Sequence, residues 1–354
     1  MTRLVFLVHG MGQHPPGWSV GVQATLARAA ARYRHFAAGP PLGERVRFVE
    51  VVYDDVFDRY VDQLAAELGA LTAFLKQGGV RLAKLTGWLG QATPTERAFF
   101  WTHAVDVVLY RYAPQLRDPV RVAVMTQIVD AVNAAKAGGE LAEVSVVAHS
   151  LGCPVASAAL HLLATRPFGG GDAFLLGRDL TVRNVFAIAN VSRALQDDID
   201  PYASPVRPAS APPAPTYVTR YHTFRHALDP FTRVRPFAPP GWGADYHAPD
   251  PVLRHLHDFN VHAFEHYLDH PAVHIPILNG VFGAPVVTAK ERVDALASYP
   301  PVAGPCLPQL VGLWNALEQL ADPRDVEEML VRGVQALALG RAAREGRAAT
   351  GPVV

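Results

Sequence analysis

Val144-Ser-Val-Val-Ala-His-Ser-Leu-Gly-Cys-Pro154 decides the reading of this chain. Its first half, Val144–Ala148, is a short, continuous apolar run without the alternation of a half-exposed strand, and it predicts a buried parallel strand. The run passes without a spacer into Ala148-His149-Ser150-Leu151-Gly152, and an alanine-rich helical pattern follows over Leu151–Thr165. A turn that brings strand and helix so close needs small residues two before and two after the central serine. Ala148 and Gly152 meet that need. Pro154 fits the first helical turn, where an N–H has no intrahelical acceptor. A serine can sit in an ordinary strand-to-helix turn, but strand, tight turn and helix together favour Ser150 as a side chain held out for chemistry.

Four other segments read as strands of the same kind: Leu4–Val8, Val46–Tyr53, Val182–Ala189 and Tyr217–Phe224. A helical pattern, Val20–Phe36, follows the first of them. Strands alternating with helices predict a doubly wound, mostly parallel sheet with helices on both faces. The first strand starts at residue 4, so no hairpin is expected before it. It leads into Leu4-Val-Phe-Leu-Val-His-Gly-Met-Gly-Gln13. A strand ending in His-Gly-X-Gly supplies a loop whose backbone N–H can face a developing negative charge. On this reading Met11 N–H is one oxyanion donor and Leu151 N–H, just after the serine, the other. His9 is expected to hydrogen-bond backbone within the loop and not to transfer protons.

On these two motifs the chain resembles the α/β-hydrolase superfamily, and within it bacterial serine lipases and esterases. The resemblance covers roughly residues 4–268. It implies the α/β-hydrolase fold and a Ser…Asp/Glu…His order along the chain. The acid then follows a late strand: Tyr217–Phe224 leads to Asp229-Pro230, a tight-loop pair. Asp229 could simply cap its own turn, and Asp197, Asp198 and Asp200 after Val182–Ala189 compete for the role. Six histidines, 255, 257, 262, 266, 270 and 274, fall within twenty residues. His262 ranks first, in the first turn of a helix beginning near Asn260, and His266 second. The remaining histidines are expected at the surface. His149, beside Ser150, is expected to contact substrate. The activity implied is serine-dependent hydrolysis of carboxylic esters through an acyl-enzyme. A thioesterase or acyltransferase on the same triad is an alternative, as is a non-catalytic binding protein that keeps the fold.

Composition narrows the rest. The 354 residues are 50% hydrophobic, and Lys plus Arg equals Asp plus Glu at 32 each. That balance excludes nucleic-acid binding by general basicity. Two cysteines, Cys153 and Cys306, exclude a disulfide scaffold and a cysteine-ligated zinc site, and Cys153 is expected to pack in the core. His262, His266 and His270 are four apart, but without a His-Glu-x-x-His pattern no metal is expected there. No dinucleotide or phosphate motif is present, so no cofactor is expected. Apolar runs are too short to cross a membrane and no secretion signal is evident, which predicts a cytoplasmic protein. Membrane-surface contact stays open, though no basic face favours it.

The chain is expected to form a single domain, 1–354, with one insertion. Residues 56–138 carry helical patterns and no strand, too long for a plain crossover, and are expected to form a helical cap. Leu71, Leu75 and Trp88 lie on its apolar stripe and are expected to line a pocket for a medium or long acyl chain. Residues 201–251 hold 12 of the 30 prolines and read as irregular loop around a strand. A last helix is expected from Asp322-Pro323, with 341–354 frayed.

Overall fold

The computed structural model describes residues 2–58, 73, 83–92, 97, 100–101, 104–169, 173–195, 198–208, 217–248, 252–304 and 307–346. Six strands form one sheet: β1 Thr2–Val8, β2 Arg47–Val51, β3 Ala142–His149, β4 Val182–Ile188, β5 Val218–Phe224 and β6 Tyr246–His247. Their order is β2-β1-β3-β4-β5-β6, and every pairing is parallel. This is the α/β architecture expected from the strand pattern. The uninterrupted apolar run of β1 has a simple cause. Leu4, Phe6 and Val8 enter the core on one face of the sheet, while Val5 and Leu7 enter a second core on the other. β2, at the sheet edge, is partly exposed along most of its length. The two-residue β6 is too short to carry a readable pattern.

Ten helices of six or more residues are described: α1 Val20–Ala30, α2 Ala83–Gln91, α3 Val105–Tyr112, α4 Pro114–Ala137, α5 Gly152–Thr165, α6 Phe264–Asp269, α7 Pro271–Phe282, α8 Ala289–Ala297, α9 Leu307–Leu320 and α10 Val326–Arg344. α1 buries Val22, Leu26, Ala29 and Ala30, an i, i+4, i+7, i+8 stripe. No helix among the described residues is long and apolar enough to cross a membrane.

The segment 56–138 divides differently from expectation. α4 packs beside α5 and against β2 and β3, so its C-terminal third is a layer of the domain and not a cap. Its Leu116, Val120, Val124 and Ile128 go into the main core. α2 buries Leu85 and Leu89 in the same core as Met329 and Leu330 of α10, and its Lys84 pairs with Asp325. Leu71 and Leu75 lie outside the described residues. At the other end, α10 is capped by the Asp325 side chain and continues to Arg344, which pairs with Asp258 at 2.8 Å. Residues 341–344 are therefore helical and anchored, not frayed.

Candidate active site

Chain direction decides where chemistry can gather. All six strands point the same way, so the loops after their C-terminal ends share one edge. From β1 the chain turns to β2 on one side and, later, to β3 on the other, which opens a crevice at that edge. Ser150 lies there, directly after β3, with φ of +52°. A non-glycine residue in this region costs roughly 1–3 kcal/mol and needs its surroundings to hold it. Here Ser150 N–H donates to Ile188 O at 2.9 Å, and the Cys153 thiol lies 3.3 Å from both Ala148 O and Ile188 O. Cys153 is buried, as expected, and burial pushes its thiol pKa up.

The glycines on either side are steric requirements. A Cβ on Gly152 would lie 2.2 Å from His9 O and 2.7 Å from Val8 O. One on Gly10 would lie 2.8 Å from Ser150 Cβ and from His149 Nδ1. The loop after β1 is thus pressed against the serine turn. Met11, half-buried, lines a cavity beside it, and Leu151 leads into α5.

Ser150, His262 and Asp229 meet in one line although they are far apart in sequence. Ser150 Oγ is 2.7 Å from His262 Nε2, and His262 Nδ1 is 2.7 Å from Asp229 Oδ2. A carboxylate only accepts, so Nδ1 carries the proton and Nε2 is free to take the serine's. All three residues are buried. Asp229 does both things its sequence position allowed. Its Oδ1 caps the short turn Pro230–Thr232 by accepting from Phe231 N–H, and Oδ2 serves the histidine. Oδ2 also accepts from Tyr267 OH at 2.7 Å, a partner that no sequence motif announced.

His262 does not start the helix as expected. It precedes α6, in a turn where the Asn260 side chain accepts from His262 N–H. Phe231 lies against its ring at 4.5 Å between centroids. His149 donates from Nε2 to His262 O at 2.8 Å and stacks on Phe264. It is held neutral by burial, with His262 adding to the effect, and it lines the cavity.

The rival residues are accounted for elsewhere. Asp198 binds Arg117 and Arg121, and Asp200 accepts from Tyr202 N–H. Asp197 lies outside the described residues, as does Cys306. His266 packs face to face on His255 at 4.2 Å. His266, expected to pack or face solvent, packs, and His255 and His274, expected at the surface, are buried as well. Nor do 262, 266 and 270 share a helical face, since His270 ends α6 and caps α7 with Pro271 at its first position.

The cavity beside the triad measures about 390 Å³. Trp18, Val22, Phe264 and Leu337 give it an apolar wall, and Gln13, His14, Asn260 and Glu265 a polar one. Leu337 comes from α10, so the C-terminal helix helps to cover the site. Trp88 packs on the main core and does not line the cavity. Trp18 and Val22, in and before α1, carried no signal beyond an ordinary amphipathic stripe.

No protein-family model matches the chain, and no curated protein matches it. Among solved structures, an uncharacterised protein from Pseudomonas aeruginosa is similar over 93% of this chain at 11% identity and a TM-score of 0.33. The chain spans about half, 52%, of the length of that structure.

Proposed function

We propose that this protein is a serine hydrolase of the α/β-hydrolase type that cleaves carboxylic esters. The observation that carries the reading is the Ser150–His262–Asp229 relay, with both links at 2.7 Å, on a serine whose backbone is held at positive φ. Ser150 Oγ attacks the ester carbonyl while His262 Nε2 takes its proton. Asp229 keeps the imidazole in the productive tautomer and stabilises the imidazolium that forms. The developing oxyanion lies between the loop after β1 and the start of α5, where Met11 and Leu151 N–H groups are its donors. The N-terminal end of the 14-residue α5 adds a favourable dipole. His262 then returns its proton to the leaving alcohol, and water repeats the sequence on the acyl-enzyme.

The acyl group of the substrate lies along Trp18, Val22, Phe264 and Leu337. The volume is in the range of small-molecule sites. Within this reading α10 covers the site through Leu337.

A fluorophosphonate probe tests the reading. It should label wild-type protein at Ser150, and Ser150→Ala should abolish both labelling and hydrolysis of p-nitrophenyl esters. His262→Ala should lower turnover by roughly 10³–10⁴-fold. Undiminished hydrolysis by Ser150→Ala would overturn it.

A further inference from the structure

We propose that the substrate of this site carries a positive charge on its acyl part, an ammonium group held in the cavity between the Glu265 carboxylate and the Trp18 ring. The proposal rests on the ester-hydrolase reading above and adds the class of acyl group.

Glu265 is the starting point. Of the described residues around the cavity it is the one acid, and none is a lysine or arginine. It stands partly exposed in the first turn of α6. Its carboxylate has no hydrogen-bond or ion-pair partner among the described residues. Gly21, in the first turn of α1, leaves the carboxylate its place: a Cβ there would stand 2.8 Å from Glu265 Oε1. Trp18 and Val22, on either side of Gly21 in the chain, line the cavity. The carboxylate therefore lies beside the surface along which the acyl group runs.

That surface is aromatic. The Trp18 and Phe264 rings are nearly parallel at 6.4 Å between centroids, and both line the cavity. An ammonium is attracted to an aromatic face within about 6 Å of the ring centroid, most strongly to indole. The alkyl groups of a substituted ammonium suit the same apolar wall.

The charge around the cavity has one sign. Three more carboxylates hold the segment 12–19 that forms this wall. Asp106 accepts from Gly12 N–H, Asp54 from His14 N–H, and Glu50 from Gly17 and Ser19 N–H on either side of Trp18. Amide donors fix a carboxylate without cancelling its charge. No lysine or arginine pairs with these three among the described residues. The ion-pair partners of Asp54 are His9 and His14, and burial holds His9 neutral. The whole chain has equal numbers of acids and bases, 32 each, so the excess is local. A cleft of one sign concentrates ligands of the opposite sign and turns away those of its own. A plain hydrocarbon chain in this cavity would desolvate Glu265 with nothing to repay the loss, whereas an ammonium at its end repays it.

The p-nitrophenyl esters of three acids test the proposal: hexanoic acid ending in trimethylammonium, its uncharged tert-butyl isostere, and the chain ending in carboxylate. At low salt kcat/KM should be at least about tenfold higher for the cation than for the isostere, and lowest for the carboxylate. The advantage of the cation should shrink as salt is raised. Glu265→Gln, nearly isosteric, should bring the ratio of cation to isostere within about twofold of one, and Glu265→Lys should invert it. The ratio is read within each variant, so a general loss of activity or stability does not imitate the result. The primary amides of the same acids, titrated calorimetrically into Ser150→Ala, should bind in the same order without hydrolysis. Equal turnover and equal binding of cation and isostere would overturn the proposal and leave the hydrolase reading intact. So would a preference that survives in both Glu265 variants. Charge-ordered binding without turnover of any of the three esters would overturn the hydrolase reading alone.

Discussion

Asp229 has two carboxylate oxygens and three donors to serve, and its place in the relay depends on how they are shared. Phe231 N–H takes Oδ1, while His262 Nδ1–H and Tyr267 OH converge on Oδ2. Tyr267 is wholly buried, and its pKa is raised well above the ordinary value by burial, then by the Asp229 charge, so it stays a donor at all ordinary pH. Tyr267→Phe removes one charge-assisted hydrogen bond without changing the ring. The expected cost is roughly 1.5–3 kcal/mol of the stabilisation around Asp229. Because the carboxylate is then free to swing in its pocket, ester turnover should fall about tenfold with KM unchanged. Steady-state kinetics beside a melting curve separates this positioning role from simple destabilisation. An unchanged turnover number would show that His262 and the turn at 229–232 hold Asp229 without help. The sequence placed Ser150, Asp229 and His262 by motif and order, but Tyr267 had no signature of its own. It reads as one more aromatic on the apolar face of α6.

At the scale of elements, legibility followed burial geometry. β1, β3 and β4 could be read because strands covered on both faces are mostly apolar along their length, while β5, with Thr219 and Arg220 exposed, was read from its β-branched and aromatic residues, and the bounds of all four fall within a few residues of expectation. β6 could not, being two residues at an edge in a proline-rich loop. α10 was legible only as a helical stretch, because it is packed on several sides and its apolar residues do not fall on one stripe. It meets α9, α2 and the turn at 230–232. Its glycines are the contact points. A Cβ on Gly333 would lie 2.1 Å from the Phe231 ring, and one on Gly340 would lie 2.0 Å from Phe259 O. Phe231 touches His262, and Phe259 precedes the turn that carries it. α10 thus buttresses the two loops that bring acid and base to Ser150. Gly340→Ala forces a methyl against backbone, which cannot rotate aside as a side chain can. An overpacking cost of about 1–3 kcal/mol is expected. Fluorophosphonate labelling of Ser150 should slow by several-fold, since the His262 turn must shift. Labelling at the wild-type rate, measured on folded protein, would show that α10 is only a cover.

For the whole molecule, the least legible property is how many histidines it buries. Fifteen are present, and six of them, His9, His149, His226, His255, His266 and His274, are buried with pKa values pushed below the ordinary 6.5, desolvation being the first cause in each. For His255 and His274 the expectation was a surface position, because histidine patterns carry no burial signal. The consequence is a stability that depends on pH. In the unfolded chain each of these groups takes up a proton below about pH 6.5, while in the folded protein each stays neutral. The unfolded state then binds more protons, so stability is fully present above pH 6.5 and is lost as pH falls. The loss accumulates over every histidine held neutral in the folded protein. Asp106 works the other way. Its pKa is raised to about 6 in the folded protein, so the unfolded chain releases that proton, but it is one group against six. The protein should therefore show a urea midpoint that falls as pH drops from 7 to 5. At pH 6, unfolding should take up protons net, measurable from the buffer dependence of the calorimetric enthalpy or by direct titration. A midpoint that stays level from pH 7 to 5, or no net uptake on unfolding, would mean that these histidines are charged inside the folded protein or open to water.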